Sequence, residues 1–431
     1  MPIGNGDFFS WPELVNLLPW RQTGSQFQRT WPIAETEAVL EGRWRKLLSE
    51  TDPIKQDRLF KNSRDRNVRF RSRKEGSLPS ISSLGATEPL PNVLQYTFRS
   101  FDQHFAILDE RLGDYVRPTL IKTLSSRQVF LLTLITENLG EGQGIFVSTF
   151  LPDLNCFHGR HGMALPLYKD AAGTEPNITG GLLDALGKEY DSTPLAEDLA
   201  AYVYAVLGGQ SYTRRFWNEL ETPGPRVPLT KDAETFAEAA KLGRKLIWLH
   251  TYAERFRGED RGDEVPQGKA TTIKGVSSDP AHYPAEYGYD AAKQEVFVGD
   301  GRFGPVAPAV WEFEVSGLKV VQSWLGYRMK KRAGKKSSPL DDIRPERWKP
   351  KMTDEFLELL WVLEGTITME PALSAILDSV VSGECFCAGD LPMPSQEERK
   401  APRAAGAGGE LLDLLEEDEA PGEEVARDHS Q

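Results

Sequence analysis

Two clusters of sulfur and imidazole are the first places to look for chemistry. Cys156, His158 and His161 fall together in "CFHGRHG", and Cys385 and Cys387 in "CFC". A tetrahedral metal site takes four ligands, usually spaced C-x2–4-C or H-x3–5-H. Neither spacing occurs and more than 200 residues separate the clusters, so no metal is expected. Cys156 beside a histidine would be an activated nucleophile only with a third, orienting group, which the sequence does not supply. The glycine run "GDGRFG" (Gly299 to Gly304) has the outline of a phosphate loop. It leads into "PVAPAVW" rather than a helix N-terminus, and so reads as a turn.

The remaining motifs are equally negative. No G-x-x-x-x-G-K-S/T loop occurs, so no nucleotide-driven motor is indicated. "SSDPAHY" (Ser277 to Tyr283) is reminiscent of the Asp-Pro-Pro-Tyr type of motif that binds a flipped adenine, but lacks the second proline in register and reads as an ordinary turn. No cofactor is expected.

What is left is electrostatic. The formal net charge is -13, but the acid is unevenly spread. From Glu397 to Gln431 there are eleven acidic and four basic residues, whereas "KQDRLFKNSRDRNVRFRSRK" (Lys55 to Lys74) has nine basic and two acidic. A second basic run, "RMKKRAGKK", spans Arg328 to Lys336. Such patches are what phosphate backbones require, and they are equally what solvated loops look like.

The elements that must position these groups change along the chain. Residues 1–91 read as a helical linker region with a basic segment, in which "AETEAVLEGRWRKLLSE" has helical spacing. Residues 92–260 begin with strand-like runs, "VLQYTF", "VFLLTLI" and "GIFVSTFL", and continue with the helical "PLAEDLAAYVYAVLGGQSYTRRFWNEL" and "KDAETFAEAAKLGRKLIWLHTYAERF". Residues 261–391 hold a hairpin with its turn at Asp300-Gly301 and two closing helices. Residues 392–431 read as a disordered acidic tail. Inside it, "LLDLLEEDE" (Leu411 to Glu419) is either a docking element or a spacer. The expected fold is mixed α/β, a β-rich core followed by helical segments.

Hydrophobic residues at 39% and charged residues at 27% fit an ordinary globular protein of two or three domains. No run of about 18 apolar residues occurs, so no membrane span is expected. The first residues lack a secretory pattern, and three cysteines make no disulfide framework, so the expected compartment is the cytoplasm.

The stretch "FRSFDQHFAILDE" resembles the Tyr-Arg-Pro-Phe-Asp-x-Arg-Trp block of large adenine-N6 DNA methyltransferases, specifically type ISP restriction-modification enzymes. "LVNLLPWRQTGSQFQRTWPI", "RWRKLLSE", "ALPLYKD", "PNIT", "AAYVYAVLGGQSYTRRF", "GPRVPLTKDAETFAEAAKLGRKLIWLHTYAERF" and "VWEFEVSGLKVVQSWLGYRMKKRAGKKSSPLDDI" are similar to further blocks of that family's C-terminal specificity region, in the same order. The resemblance runs from Phe8 to Ile343 and extends to the helices up to Val381. Phe98 stands where Tyr is common, Arg99, Phe101 and Asp102 match, Ser100 replaces Pro, and His104 replaces Arg. Arg99 and Asp102 are expected to form an internal ion pair that braces the domain.

The resemblance implies a target-recognition region that reads a short duplex and presents it to a separately encoded methyltransferase or restriction subunit. The family's nuclease, helicase and methyltransferase motifs do not occur here, so no catalysis by the chain alone is expected. Double-stranded DNA is the implied partner. Implied phosphate contacts are Arg69, Arg71, Arg73 and Lys74, with Lys330, Lys331, Arg332, Lys335 and Lys336; in "RFRSR" an extended backbone would put three arginines on one face. Arg214 and Arg215, beside Tyr212 and Trp217, either contact DNA or form the solvent face of a packed helix. Arg226 in "GPRVP" matches the family and either contacts DNA or locks a loop. Two other readings stay open: a non-catalytic remnant of a larger enzyme, and a protein-interaction factor acting through its tail.

Overall fold

The computed structural model describes residues 7–71, 78–157, 159–258 and 261–402. Prolines break its N-terminal segment into short pieces: α1 (Leu14–Leu17) stops at an extended Leu18, before Pro19, and β1 (Gln22–Thr23) and β2 (Ile33–Ala34) have two residues each. In α2 (Glu37–Ser49) the Thr36 hydroxyl accepts the Val39 N–H, and Leu40, Arg43, Trp44 and Leu47 are buried at helical spacing. In α3 (Pro53–Phe60), Asp52 accepts from Ile54 and Lys55, Pro53 opens the first turn, and left-handed Lys61 closes the last.

The strands follow, as their β-branched and aromatic content predicts. β3 (Val93–Arg99) and β4 (Asp102–Ile107) form a hairpin, to which β2 adds beside β4, and β7 (Leu151–Pro152) adds in parallel beside β3. After α4 (Pro118–Ile121), the buried strands β5 (Phe130–Thr133), β6 (Ile145–Ser148) and β8 (Met163–Pro166) make a second, antiparallel sheet, ordered β1-β8-β5-β6.

Helices α5 (Leu182–Tyr190), α6 (Ala196–Leu207), α7 (Gln210–Arg215) and α8 (Ala233–His250) follow, with α6 packed on α8 and α8 on β6. The break between α6 and α7 falls at Gly208-Gly209, and Asp232 caps α8 by accepting the Thr235 N–H. Helices α6 and α8 touch backbone to side: a Cβ on Gly243 would lie 1.8 Å from the Ala201 carbonyl oxygen, so only glycine fits there.

A third sheet, ordered β10-β11-β12-β9, contains β9 (Thr271–Lys274), β10 (Tyr287–Asp290), β11 (Glu295–Val298) and β12 (Gly301–Gly304). Val298 pairs with Gly301, so the hairpin loop is Gly299-Asp300, one residue earlier than the sequence suggests; Gly299 takes the positive φ that the turn needs. The chain closes with α9 (Pro308–Trp311), the ribbon β13 (Glu314–Val315) and β14 (Leu318–Lys319), α10 (Val320–Arg328) and α11 (Pro350–Ser382). Contrary to expectation, α11 has the length and hydropathy of a membrane span. Its Phe356, Leu359, Leu360 and Leu363 are buried in the core, and Glu364 accepts the Lys269 and Ala270 N–H groups.

One apolar core runs from Phe8 to Leu391, and a second, smaller one gathers Trp31, Leu40, Trp44, Phe60, Leu112 and Leu340. The fold is mixed α/β, as the sequence indicates. Of the expected tail, residues 392–402 are tethered to the fold although mostly exposed or half-buried: Arg399 donates to Asn16, and Glu398 accepts the Gly180 N–H. Residues 403–431, including Leu411 to Glu419, lie outside the described residues.

Candidate nucleic-acid interface

The hairpin of β3 and β4 turns at Ser100-Phe101, with Phe101 at φ 62° and its ring in the core against Phe146 and His250. The Ser100 N–H donates to the Cys156 carbonyl, a bond that proline at this position would forfeit. Arg99 and Asp102 are register partners across this turn, yet the expected ion pair between them is not the one that forms. Arg99 pairs with Asp153 at 3.3 Å and donates to the Tyr327 hydroxyl, while Asp102 pairs with Arg328 at 2.8 Å and faces His104 at 3.2 Å. The reason is tertiary: the loop after β7 and the last turn of α10 reach this end of the hairpin and supply better-placed partners.

All of these groups are buried, and their electrostatics differ. Burial alone would raise the Asp102 carboxyl, but Arg328 and His104 overcome it and hold it down at about 2. Arg328 also lies 3.6 Å from the Trp324 ring centroid. Asp153 is raised, because burial outweighs the more distant Arg99, and Tyr96 donates to it at 2.8 Å. The stretch therefore bolts the hairpin to α10 and to the β7 loop, and presents no free charge to a ligand.

The two basic runs behave differently. In the first, Arg69 forks onto Asp57 with contacts of 3.0 and 2.9 Å, whereas Arg71 is exposed with no ion pair among the described residues. The expected extended backbone is absent at its start: the Phe70 N–H bonds the Asn67 carbonyl, which puts Val68 and Arg69 in a turn. Arg73 and Lys74 lie outside the described residues, so no three-arginine face can be drawn. In the second run Arg328 is buried in the pair above, Arg332 bonds Asp341 and Thr30, and Lys336 pairs with Asp342. Lys330, Lys331 and Lys335 are exposed with no ion pair among the described residues.

Residues 29 and 30 bring the runs together. Thr30 bonds Ser337 and Asp341 on the second run's side. Its neighbour Arg29 donates to the Lys61 carbonyl and to Ser63 within the first run, and burial lowers its guanidinium to about 10. The turn at Pro339–Asp342 packs on α2 and α3. Sequence reasoning missed this junction, because nothing in the spacing of Arg29 and Thr30 marks them.

Arg214 and Arg215 lie elsewhere, at the end of α7, with Trp217 46% exposed beside them. Arg214 donates to Gln210 and Arg215 is bound to Asp378, while Tyr212 is buried and donates to the Arg226 carbonyl. Arg226 itself donates to the Trp11 carbonyl and to Glu13, fastening the N-terminal segment. Of the sulfur and imidazole clusters, burial pushes the Cys156 thiol far up and the Cys385 thiol to about 11, which leaves both as poor nucleophiles. His158 lies outside the described residues, among which no group of three or more His, Cys, Asp or Glu could hold a metal. Asp279 caps a short turn over Pro280–His282, as read from "SSDPAHY".

The model of the Type ISP C-terminal specificity domain matches residues 16–359, and the chain belongs to that family. Three solved structures share the fold. The cryoEM structure of a DrdV–DNA complex is 19% identical, with TM-score 0.56 over 87% of this chain and 36% of that one. A nuclease-deletion mutant of the Type ISP restriction-modification enzyme LlaGI, in complex with a DNA substrate mimic, is 16% identical, with TM-score 0.56 over 85% and 29%. The ATP-dependent Type ISP restriction-modification enzyme LlaBIII bound to DNA is 16% identical, with TM-score 0.60 over 90% and 25%. The chain thus spans about a third or less of each of these proteins. No curated protein matches it.

Proposed function

We propose that this member of the Type ISP specificity family reads a short duplex sequence and presents it to a separately encoded adenine-N6 methyltransferase or restriction subunit, in the cytoplasm, without catalysing a step itself. The family match over residues 16–359 carries the reading, and the three structures of the same fold, each named as a DNA complex, support it. The local chemistry is compatible. Lys330, Lys331 and Lys335, with Arg71 from the other run, offer unpaired cations to phosphates, which position a protein on a duplex without reading it. Reading then falls to groups that reach base edges, where Arg or Lys suits guanine and Asn or Gln suits adenine.

Selection from a random duplex library, at low and moderate salt, tests this. Enrichment of a short site containing adenine is the expected result. Salt-sensitive binding without enrichment would mean that reading needs the catalytic partner. No binding at low salt would overturn the proposal.

A further inference from the structure

We infer that the groove beside α7 is a docking site for a lysine- or arginine-bearing segment of a partner protein, and not a further stretch of the DNA path. The groove consists of a hollow of about 710 Å³ adjoining another of about 480 Å³. Trp217, Glu141 and Glu314 line both, so an aromatic ridge with carboxylates on it divides two polar basins. That shape suits an extended chain laid across Trp217 with one side chain in each basin.

The floor is preformed. The Ser316 hydroxyl accepts the Gly140 N–H, the Glu314 carbonyl accepts the Gln143 N–H, and the Glu141 carbonyl accepts the Gly317 N–H. These bonds lock the loop after β5 to the β13–β14 ribbon, so a ligand meets a surface already ordered. Neighbouring Phe216 and Leu220 are in the core, which leaves Trp217 turned outward by its position in the turn.

Charge decides the occupant. Five glutamates line the two basins against three arginines. Arg215 is neutralised by Asp378, and Glu312 and Glu314 by Lys319. That leaves Glu141, Glu219 and Glu221 without an ion pair among the described residues, against Arg160 and Arg214, which bond only the Asn138 carbonyl and Gln210. A DNA strand would bring phosphates against these carboxylates. A cationic side chain would meet the face of Trp217 and the same carboxylates together, the arrangement that attracts ammonium and guanidinium groups.

The test uses the full chain and a fluorescein-labelled decapeptide carrying four arginines, followed by anisotropy. Saturable binding is expected, weakened tenfold or more by Trp217→Ala, less by Trp217→Phe, and at least threefold by Glu141→Gln with Glu219→Gln. Glu234→Gln with Glu238→Gln, on the exposed face of α8, should leave it unchanged. Equal weakening by the α8 pair would reduce the effect to attraction by an acidic chain and overturn the inference; so would indifference to Trp217→Ala. Duplex binding of the same Trp217 and glutamate variants is measured separately and should match the parent, so loss of the peptide site and loss of DNA recognition are read independently.

Discussion

Replacing Arg328 with methionine isolates the bolt at the end of the hairpin. The substitution keeps the apolar stem against Trp324 and removes the cation 2.8 Å from Asp102, leaving a carboxylate whose side chain is 1% exposed. Breaking one side of a buried pair costs about 3–5 kcal/mol, since the remaining charge is stranded. Asp102 gives an independent scale. Its carboxyl is held at about 2 against a usual 3.8, which at about 1.4 kcal/mol per unit is about 2–3 kcal/mol left over after Arg328 and His104 have offset the cost of burial. Thermal unfolding at pH 7 should therefore fall by about 4–6 °C, taking about 2 cal/mol/K of unfolding entropy per residue over roughly 400 residues. The double variant Arg328→Met with Asp102→Leu should recover most of that loss, because a buried pair replaced by apolar side chains is often neutral. The sign in acid also follows. Because the folded carboxyl is depressed, its contribution is complete above its unfolded value near 3.8 and is lost as the pH falls through about 2. The Arg328 variant should lose stability less steeply across that window. A single variant that melts with the parent, or a double variant as unstable as the sum of its parts, would refute the reasoning.

Changing Lys330, Lys331 and Lys335 to alanine should lower duplex affinity at every sequence and reduce the log–log salt slope by about 2–3, measured by anisotropy titrations at several salt concentrations. Burial holds the His250 imidazole at about 3, so the unfolded chain binds a proton that the folded chain refuses. The resulting stability is present above about 6.5 and lost as the pH falls towards 3, and His250→Gln should flatten that slope in melting curves. Gly243→Ala drives a methyl into the Ala201 carbonyl and should cost at least about 1–3 kcal/mol in urea unfolding, or prevent folding. Arg226→Ala should expose the segment around Trp11 to limited proteolysis, with a loss of about 1–3 kcal/mol from its freed carbonyl and carboxylate partners.

The helices and the strand-like runs that hold β3, β5 and β6 were legible because their signals are local. The Gly208-Gly209 break and the spacing of Phe236, Ala240 and Leu249 lie within single segments and decide α6, α7 and α8 without outside help. The pairing of charges was not legible, since a partner's identity depends on which distant segment arrives. Arg99 and Asp102 sit three apart in sequence and opposite each other in register, the best local case for a pair, and lose each other to Asp153 and Arg328. Strands of two residues, β1 and β2, were also invisible, because they are held by β8 and β4 rather than by their own propensity.

The same dependence on distant segments sorts the cations that composition lumps together. Arg69, Arg215, Arg332 and Lys336 each have a carboxylate partner, and Arg71, Lys330, Lys331 and Lys335 have none among the described residues. An exposed pair is worth only about 0–1 kcal/mol, so an arriving phosphate can compete for Arg69 or Lys336 at little cost. Arg332 is different, since its partner Asp341 is 1% exposed and also holds Thr30 and Ser337; withdrawing that cation would loosen the junction between the two runs. A net charge of -13 therefore says little about DNA affinity. What matters is which cations the fold has already committed, and in the two basic runs, joined through Arg29 and Thr30, it is Arg71, Lys330, Lys331 and Lys335 that have no ion pair among the described residues.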